Sequence, residues 1–122
     1  LSRLMLTIKS ILARNRNLAT IIFDEIDSGV SGDIADKMAV IMKKISNNIQ
    51  VIAITHLPQV AAKGETHIKI YKENVNGITK TFLTELTKNE RIDELAKMLS
   101  GKKLSTAAIE NAKVLLENDD LK

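Results

Sequence analysis

The stretch that most constrains this chain is Thr20-Ile21-Ile22-Phe23-Asp24-Glu25-Ile26-Asp27. Four bulky residues, three of them β-branched, run without alternation into acids. An unbroken apolar run of this kind suits a strand covered on both faces of a parallel sheet. The acids then fall just past its carboxyl end, the edge at which open α/β sheets bind their ligands. Val51-Ile52-Ala53-Ile54 is a second short apolar run, and it ends in Thr55-His56-Leu57-Pro58-Gln59. Between the two, Ile34, Met38, Ile41, Met42 and Ile45 recur at helical spacing, with Ser31 as the N-cap and Asn47-Asn48 as the stop. Strand, helix, strand is a βαβ unit with an expected right-handed crossover, so both strands end on the same edge. Asp24, Glu25 and His56 are therefore expected on one rim.

The rest of the chain fills out an α/β fold with parallel strands, a β-hairpin and C-terminal helices. Leu1, Leu4, Met5, Ile8, Ile11 and Leu12 share one helical face, which Arg14-Asn15-Arg16-Asn17 should end as a polar loop. Ser28-Gly29-Val30-Ser31-Gly32 reads as a turn leading into the next helix. Pro58 suits the first turn of a short helix that Gly64 terminates. His67 to Tyr71 alternates, with Ile68 and Ile70 on one face, and Ile78 to Leu83 is its partner strand. Asn76-Gly77 marks the turn between them, in a loop expected to exceed two residues. Thr87 and Glu90 form a capping-box pattern ahead of Ile92, Leu95, Ala96 and Leu99, and Gly101 ends that helix. Ser105 or Thr106 caps a last helix with Ile109, Ala112, Leu115 and Leu116 inward, and Asn118 to Lys122 is expected to fray.

Composition narrows the chemistry. At 122 residues the chain is one domain or part of one. It is 44% hydrophobic and 27% charged, an ordinary globular balance, but only 2% aromatic, so the core must be aliphatic. There is no Cys, which excludes a disulfide framework, a Cys-based zinc site and a thiol nucleophile, and agrees with a reducing cytosol. No apolar run reaches membrane-spanning length, and no signal peptide is visible. The formal charge of +3 is a weak hint of an anionic partner. Lys43-Lys44 and Lys102-Lys103 read as solvated surface, and one Tyr and two Phe offer no stacking platform for bases. Leu1 is not Met and the chain opens inside a helical pattern, as expected of a segment of a longer protein.

A hydrophobic strand ending in Asp-Glu has the pattern of a Walker B element. Asp24 would hold Mg²⁺ through oxygen, which a hard cation prefers. Glu25 would polarise the water that attacks a γ-phosphate. Taken alone, such acids also solvate turns or cap helices, and a single His at a strand end is more often a packing residue. The spacing of one βα unit between the acids and His56, with a Gly29 turn directly after the acids, makes the constellation more particular. Phe23-Asp24-Glu25-Ile26-Asp27-Ser28-Gly29-Val30-Ser31-Gly32 resembles the Walker B and D-loop of an ABC-type ATPase head. Ile54-Thr55-His56-Leu57-Pro58-Gln59-Val60-Ala61 resembles the switch-histidine segment of such heads. Together with Arg91-Ile92-Asp93-Glu94-Leu95-Ala96-Lys97-Met98-Leu99-Ser100-Gly101, these runs resemble the RecN family of bacterial DNA repair proteins, within the structural-maintenance-of-chromosomes (SMC) class. The resemblance covers essentially the whole chain.

The resemblance implies roles residue by residue. Asp24 matches the magnesium aspartate and Glu25 the catalytic glutamate. Asp27, Ser28 and Gly29 match the D-loop that reaches across a head–head dimer. His56 matches the sensor of the γ-phosphate, and Leu1-Ser2-Arg3 the residues just after the signature motif. Residues 1–122 would then be the C-terminal half of an ABC-type ATPase head, cytoplasmic and nucleoid-associated. The implied cofactors are ATP and Mg²⁺, and the implied partners are a second head and DNA, through the full-length protein and without a membrane. No Gly-x-x-x-x-Gly-Lys-Ser/Thr occurs in the sequence, and Gly101-Lys102-Lys103 is no substitute. The phosphate-cradling amides and their Lys are therefore missing, so this chain alone is expected to bind ATP weakly and not to hydrolyse it.

Other readings stay open on the residues alone. A DExD-type helicase core fits Asp24-Glu25-Ile26-Asp27 literally, but it expects Ser-Ala-Thr at the end of the next strand, where Ile-Thr-His stands. A metal-dependent phosphodiesterase or topoisomerase-type domain using Glu25 and Asp27 needs a further upstream carboxylate, and the upstream segment is free of acids. A non-catalytic interaction lobe is the third.

Overall fold

The computed structural model describes residues 6, 7, 10, 11, 14, 19–26 and 28–120. Its elements are β1 (Thr20–Asp24), α1 (Gly32–Ser46), β2 (Gln50–Ile54), α2 (Pro58–Lys63), β3 (Ile68–Val75), β4 (Ile78–Glu85), α3 (Lys88–Ser100) and α4 (Thr106–Asp120). β1 and β2 pair in parallel from Thr20 opposite Gln50 to Asp24 opposite Ile54. β3 and β4 form an antiparallel hairpin. This is the α/β arrangement that the apolar runs foretell. Ahead of β1, Leu6, Thr7, Ser10, Ile11 and Arg14 are helical. Leu1, Leu4, Met5, Ile8, Leu12 and 15–17 lie outside the described residues.

Among the described residues two apolar clusters make the core. The first joins Leu6, Ile21, Phe23, Met38, Ala39, Met42 and Val60. The second joins Ala62, Leu95, Ala96, Ala108 and Ala112. The short helix α2 belongs to both, through Val60 on one side and Ala62 on the other. The ends of α3 and α4 are built as their sequences require. Thr87 Oγ1 accepts from the Glu90 N–H at 3.3 Å, and Glu90 Oε2 accepts from the Thr87 N–H at 2.9 Å, a complete capping box. Ser105, not Thr106, caps α4, its Oγ accepting from the Ala108 N–H at 3.1 Å. The α4 backbone stays helical as far as Asp120, where fraying was expected.

Several details depart from the pattern-based expectation. β1 is not covered on both faces: Phe23 is 1% exposed, but Ile22 is 54% exposed, and its sheet neighbours Ile52 and Ile54 are each 43% exposed. Among the described residues the parallel pair packs on one side only, so alternate side chains of a continuous apolar run meet different surroundings. On α1 the fully buried positions are Ala35 and Ala39 beside Met38 and Met42, while Ile41 stays exposed. Small side chains let helix and sheet approach closely, and the bulky ones flank the contact. Leu99 of α3 is likewise exposed. Ser31 does occupy the N-cap of α1, but its side chain makes no capping hydrogen bond.

A further departure is the hairpin loop, which is only two residues long. Val75 pairs directly with Ile78, leaving Asn76 and Gly77 as the turn. Their φ values of 53° and 78° are the left-handed pair of a type I′ turn, whose twist matches that of the strands it joins. Tyr71 and Phe82 face each other across the strands with ring centroids 5.6 Å apart, which fixes the register further along. On that face Lys69 bonds Glu94 of α3 at 2.6 Å, tying hairpin to helix. The opposite face, with Ile68, Ile70 and Leu83, is exposed.

The turn yields a direct test. A Cβ at Gly77 would meet nothing within 4 Å, so any penalty there is conformational and not steric crowding. Gly77→Ala should cost about 1 kcal/mol or more, from the left-handed backbone alone. Asn76→Gly should be close to neutral. Thermal melts of both variants check this, and an unchanged Tm for Gly77→Ala would show that the turn is not type I′.

Candidate functional site

The site is the carboxyl edge of the β1–β2 pair. β1 ends at Asp24, and Glu25 follows with φ of 50°, a left-handed conformation that a residue with a side chain adopts at a cost of about 1–2 kcal/mol. Its backbone N–H donates to the Ile54 carbonyl at 2.9 Å, so the parallel ladder continues one residue beyond the strand. The Glu25 carbonyl accepts from the Ser28 N–H at 3.2 Å, closing a turn. Gly29 lies in that bend at φ of 75°, where a Cβ would find open space, so the backbone angle is what calls for glycine. The chain then enters α1. Asp24, Glu25, Ser28 and Gly29 are all exposed. Asp27 lies outside the described residues.

β2 delivers the second half. After Ile54, Thr55 Oγ1 accepts from the Leu57 N–H at 3.0 Å, which draws the chain into a bend with His56 exposed at its tip. Pro58 then opens α2, where its missing N–H costs nothing. The Gln59 amide nitrogen stands 3.3 Å from where a Cβ on Gly32 would be, so the start of α1 and the helix after His56 touch closely. The loops that follow the two strands are thus neighbours. Asp24, Glu25 and His56 share one edge because Asp24 pairs with Ile54 and Glu25 is bonded to that same residue.

Chemically this edge offers two carboxylates and an imidazole to solvent. Among the described residues no group of three or more His, Cys, Asp or Glu could enclose a metal ion. A single strand-end carboxylate does suit Mg²⁺, which binds through one or two carboxylates and completes its octahedron with water and substrate phosphates. The residues therefore fit a magnesium–nucleotide complex better than a stand-alone metal centre. His67, just ahead of β3, has its pKa lowered by burial first and by the Arg91 guanidinium second.

Sequence reading missed Arg91 as a structural contact. Its guanidinium reaches the backbone carbonyls of Ala61, Ala62, Gly64 and Glu65. Contacts from a side chain to carbonyls 26 to 30 residues away leave no local signal in a sequence. The run Arg91–Gly101 stood out only as a block.

No family model matches the sequence. The chain is 48% identical over 116 residues to DNA repair protein RecN of Rickettsia conorii, covering 95% of this chain. It is 44% identical over 120 residues to DNA repair protein RecN of Bacillus subtilis, covering 98%. The Vibrio cholerae protein of that name is 38% identical over 116 residues. The chain spans about a fifth, 21%, of the length of each of these relatives. In structure it resembles an SMC ATPase solved in a study of ATP-driven dimerization and DNA-stimulated activation. The TM-score is 0.57 at 20% identity, over 75% of this chain and 54% of the other, which speaks to the fold. In sequence the chain is RecN-like along nearly its whole length, and in fold it is like an SMC ATPase.

The left-handed backbone at Glu25 gives a direct test of what its side chain does for the turn. If stability alone mattered, glycine would serve better there. Glu25→Gly should stabilise this chain by about 0.5–1 kcal/mol, the left-handed penalty less the added freedom of the unfolded chain. Chemical denaturation of the two proteins measures it, and a loss of stability would mean that the Glu25 side chain itself supports the turn.

Proposed function

We propose that this chain is the C-terminal half of the ATPase head of a RecN-like protein of DNA double-strand-break repair and recombination, supplying its Walker B, D-loop and switch-histidine elements. The observation that carries the reading is the Glu25–Ile54 hydrogen bond, which holds Asp24, Glu25 and the His56 bend on one sheet edge. The likeness to RecN proteins along nearly the whole of this chain adds to it. A strained, exposed glutamate at a strand end is also what a positioned catalytic group looks like.

The roles follow from the chemistry. Asp24 would hold the Mg²⁺ that accompanies ATP, which when bound would offset charge on the phosphates. Glu25 accepts a proton from the water that attacks the γ-phosphorus, and ADP departs. His56 contacts the γ-phosphate and reports its presence. Asp27, Ser28 and Gly29 face a second head across a dimer, a reading in keeping with the ATP-driven dimerization studied for the SMC neighbour. The P-loop comes from elsewhere in the longer protein, and DNA is engaged by the whole molecule. No helix among the described residues is long and apolar enough to cross a membrane.

Three substitutions in the intact protein decide the reading. Glu25→Gln keeps shape and removes the proton acceptor, so kcat should fall by a factor of about 10² or more with ATP binding retained. Asp24→Asn should weaken Mg²⁺ retention as well as turnover. His56→Ala should lower turnover with little change in affinity. If these residues only shape turns, each change instead costs about 1 kcal/mol of stability and spares activity. Near-normal kcat for Glu25→Gln would refute the catalytic assignment. In this chain by itself, calorimetry with millimolar MgATP should show no saturable binding.

A further inference from the structure

At the far end of the helix that hangs from His56, a side chain of α3 bonds several backbone carbonyls. α2 has six residues, too few for a helix to persist without outside support. Its last carbonyls lack partners within the helix and carry the negative end of its dipole. Gly64 follows at φ of −68° and ψ of 140°, so the helix does not close with the left-handed residue that commonly takes up those carbonyls. Arg91 takes two of them, those of Ala61 and Ala62, along with the carbonyls of Gly64 and Glu65 just beyond the helix, and Ala61 O also accepts from the Gly64 N–H at 3.4 Å. Its Nη2 donates to Gly64 O at 2.7 Å, Ala61 O at 3.3 Å and Ala62 O at 3.4 Å, and its Nη1 to Glu65 O at 3.3 Å. A planar guanidinium can serve several carbonyls at once, which an ammonium on a flexible stem cannot reproduce.

Arg91 is itself well anchored. Its N–H bonds the carbonyl of Thr87 at 2.8 Å, directly behind the capping box of α3. A cation in the first turns of a helix gains nothing from that helix's own dipole. Here the charge points across to the negative end of α2. The α2 axis is about 9 Å long at the usual rise, so its C-terminal end sits close enough to His56 for a tilt there to move the bend. On the reading of His56 as the γ-phosphate contact, an error of about 1 Å in its placement is worth about 10² in rate.

We infer that Arg91 is a positioning residue for His56, acting by clamping the C-terminal end of α2 to α3. The inference rests on the proposed role of His56. The test uses the intact protein and a double-mutant cycle. Arg91→Met should lower kcat about tenfold or more while ATP affinity stays within about twofold, since the cradle is untouched. Arg91→Lys should restore only part of the rate, and it serves as the working variant if Arg91→Met does not fold. In a His56→Ala background either Arg91 substitution should cost almost nothing more, because the group being positioned is gone. Losses that multiply in full across the two sites overturn the inference, as does wild-type kcat in Arg91→Lys and Arg91→Met. Wild-type kcat in His56→Ala alone would instead overturn the role of His56, so the two failures are told apart.

Discussion

The backbone hydrogen bond from Glu25 to Ile54 is the contact on which the site depends. It would not exist without the parallel register of β1 and β2, and that register is set by burial. Ile21 and Phe23 point into the first cluster against Met38, Ala39 and Met42. A slip of one residue would send Ile22 inward and Phe23 out to solvent. Burying Phe23 therefore also decides which residue of the acidic run lies opposite Ile54. The stability of the core and the placement of the chemistry are the same geometric fact.

Much of this was legible in the residues. Unbroken β-branched runs, a capping box and an Asn-Gly pair each have a local physical cause, and each gave its element. The exposed face of the parallel pair was not legible, because burial of Ile22, Ile52 and Ile54 depends on what lies over them and not on their own identity. The two-residue hairpin loop was hidden for a related reason. Lys72, Glu73 and Asn74 read as polar turn material, yet the ladder runs through them because the type I′ geometry at Asn76 and Gly77 allows full pairing. The candidate acids and His56 were found by type and spacing, but the left-handed Glu25 backbone and the Arg91 clamp arise from tertiary contact and have no signature of their own.

The helix α2 gives the chain its unity. Val60 enters the cluster beneath the parallel strands, and Ala62 enters the cluster between α3 and α4. Few residues separate the two, so neither cluster can shift without moving the other's boundary. Interiors packed at crystal-like density respond to such shifts as rigid bodies, not as a fluid. Motion of the C-terminal helices is thereby linked to the segment bearing His56 by packing as well as by the Arg91 hydrogen bonds.

The contrast between the two strand pairings bears on the order of assembly. β3 and β4 meet across a turn of two residues, and Thr87 caps α3 right after them, so these contacts close short loops. β1 and β2 pair residues 30 apart, Thr20 with Gln50, and must first enclose α1. Loop closure over the longer span costs more entropy before any contact repays it, and hairpins form in about 1–10 μs. The topology implies that the hairpin and the capped start of α3 close early, ahead of the parallel pair. Pulsed hydrogen exchange reads that order directly, with late protection at the Glu25 amide as its signature. The edge that carries the acids would then be the youngest part of the molecule each time it folds.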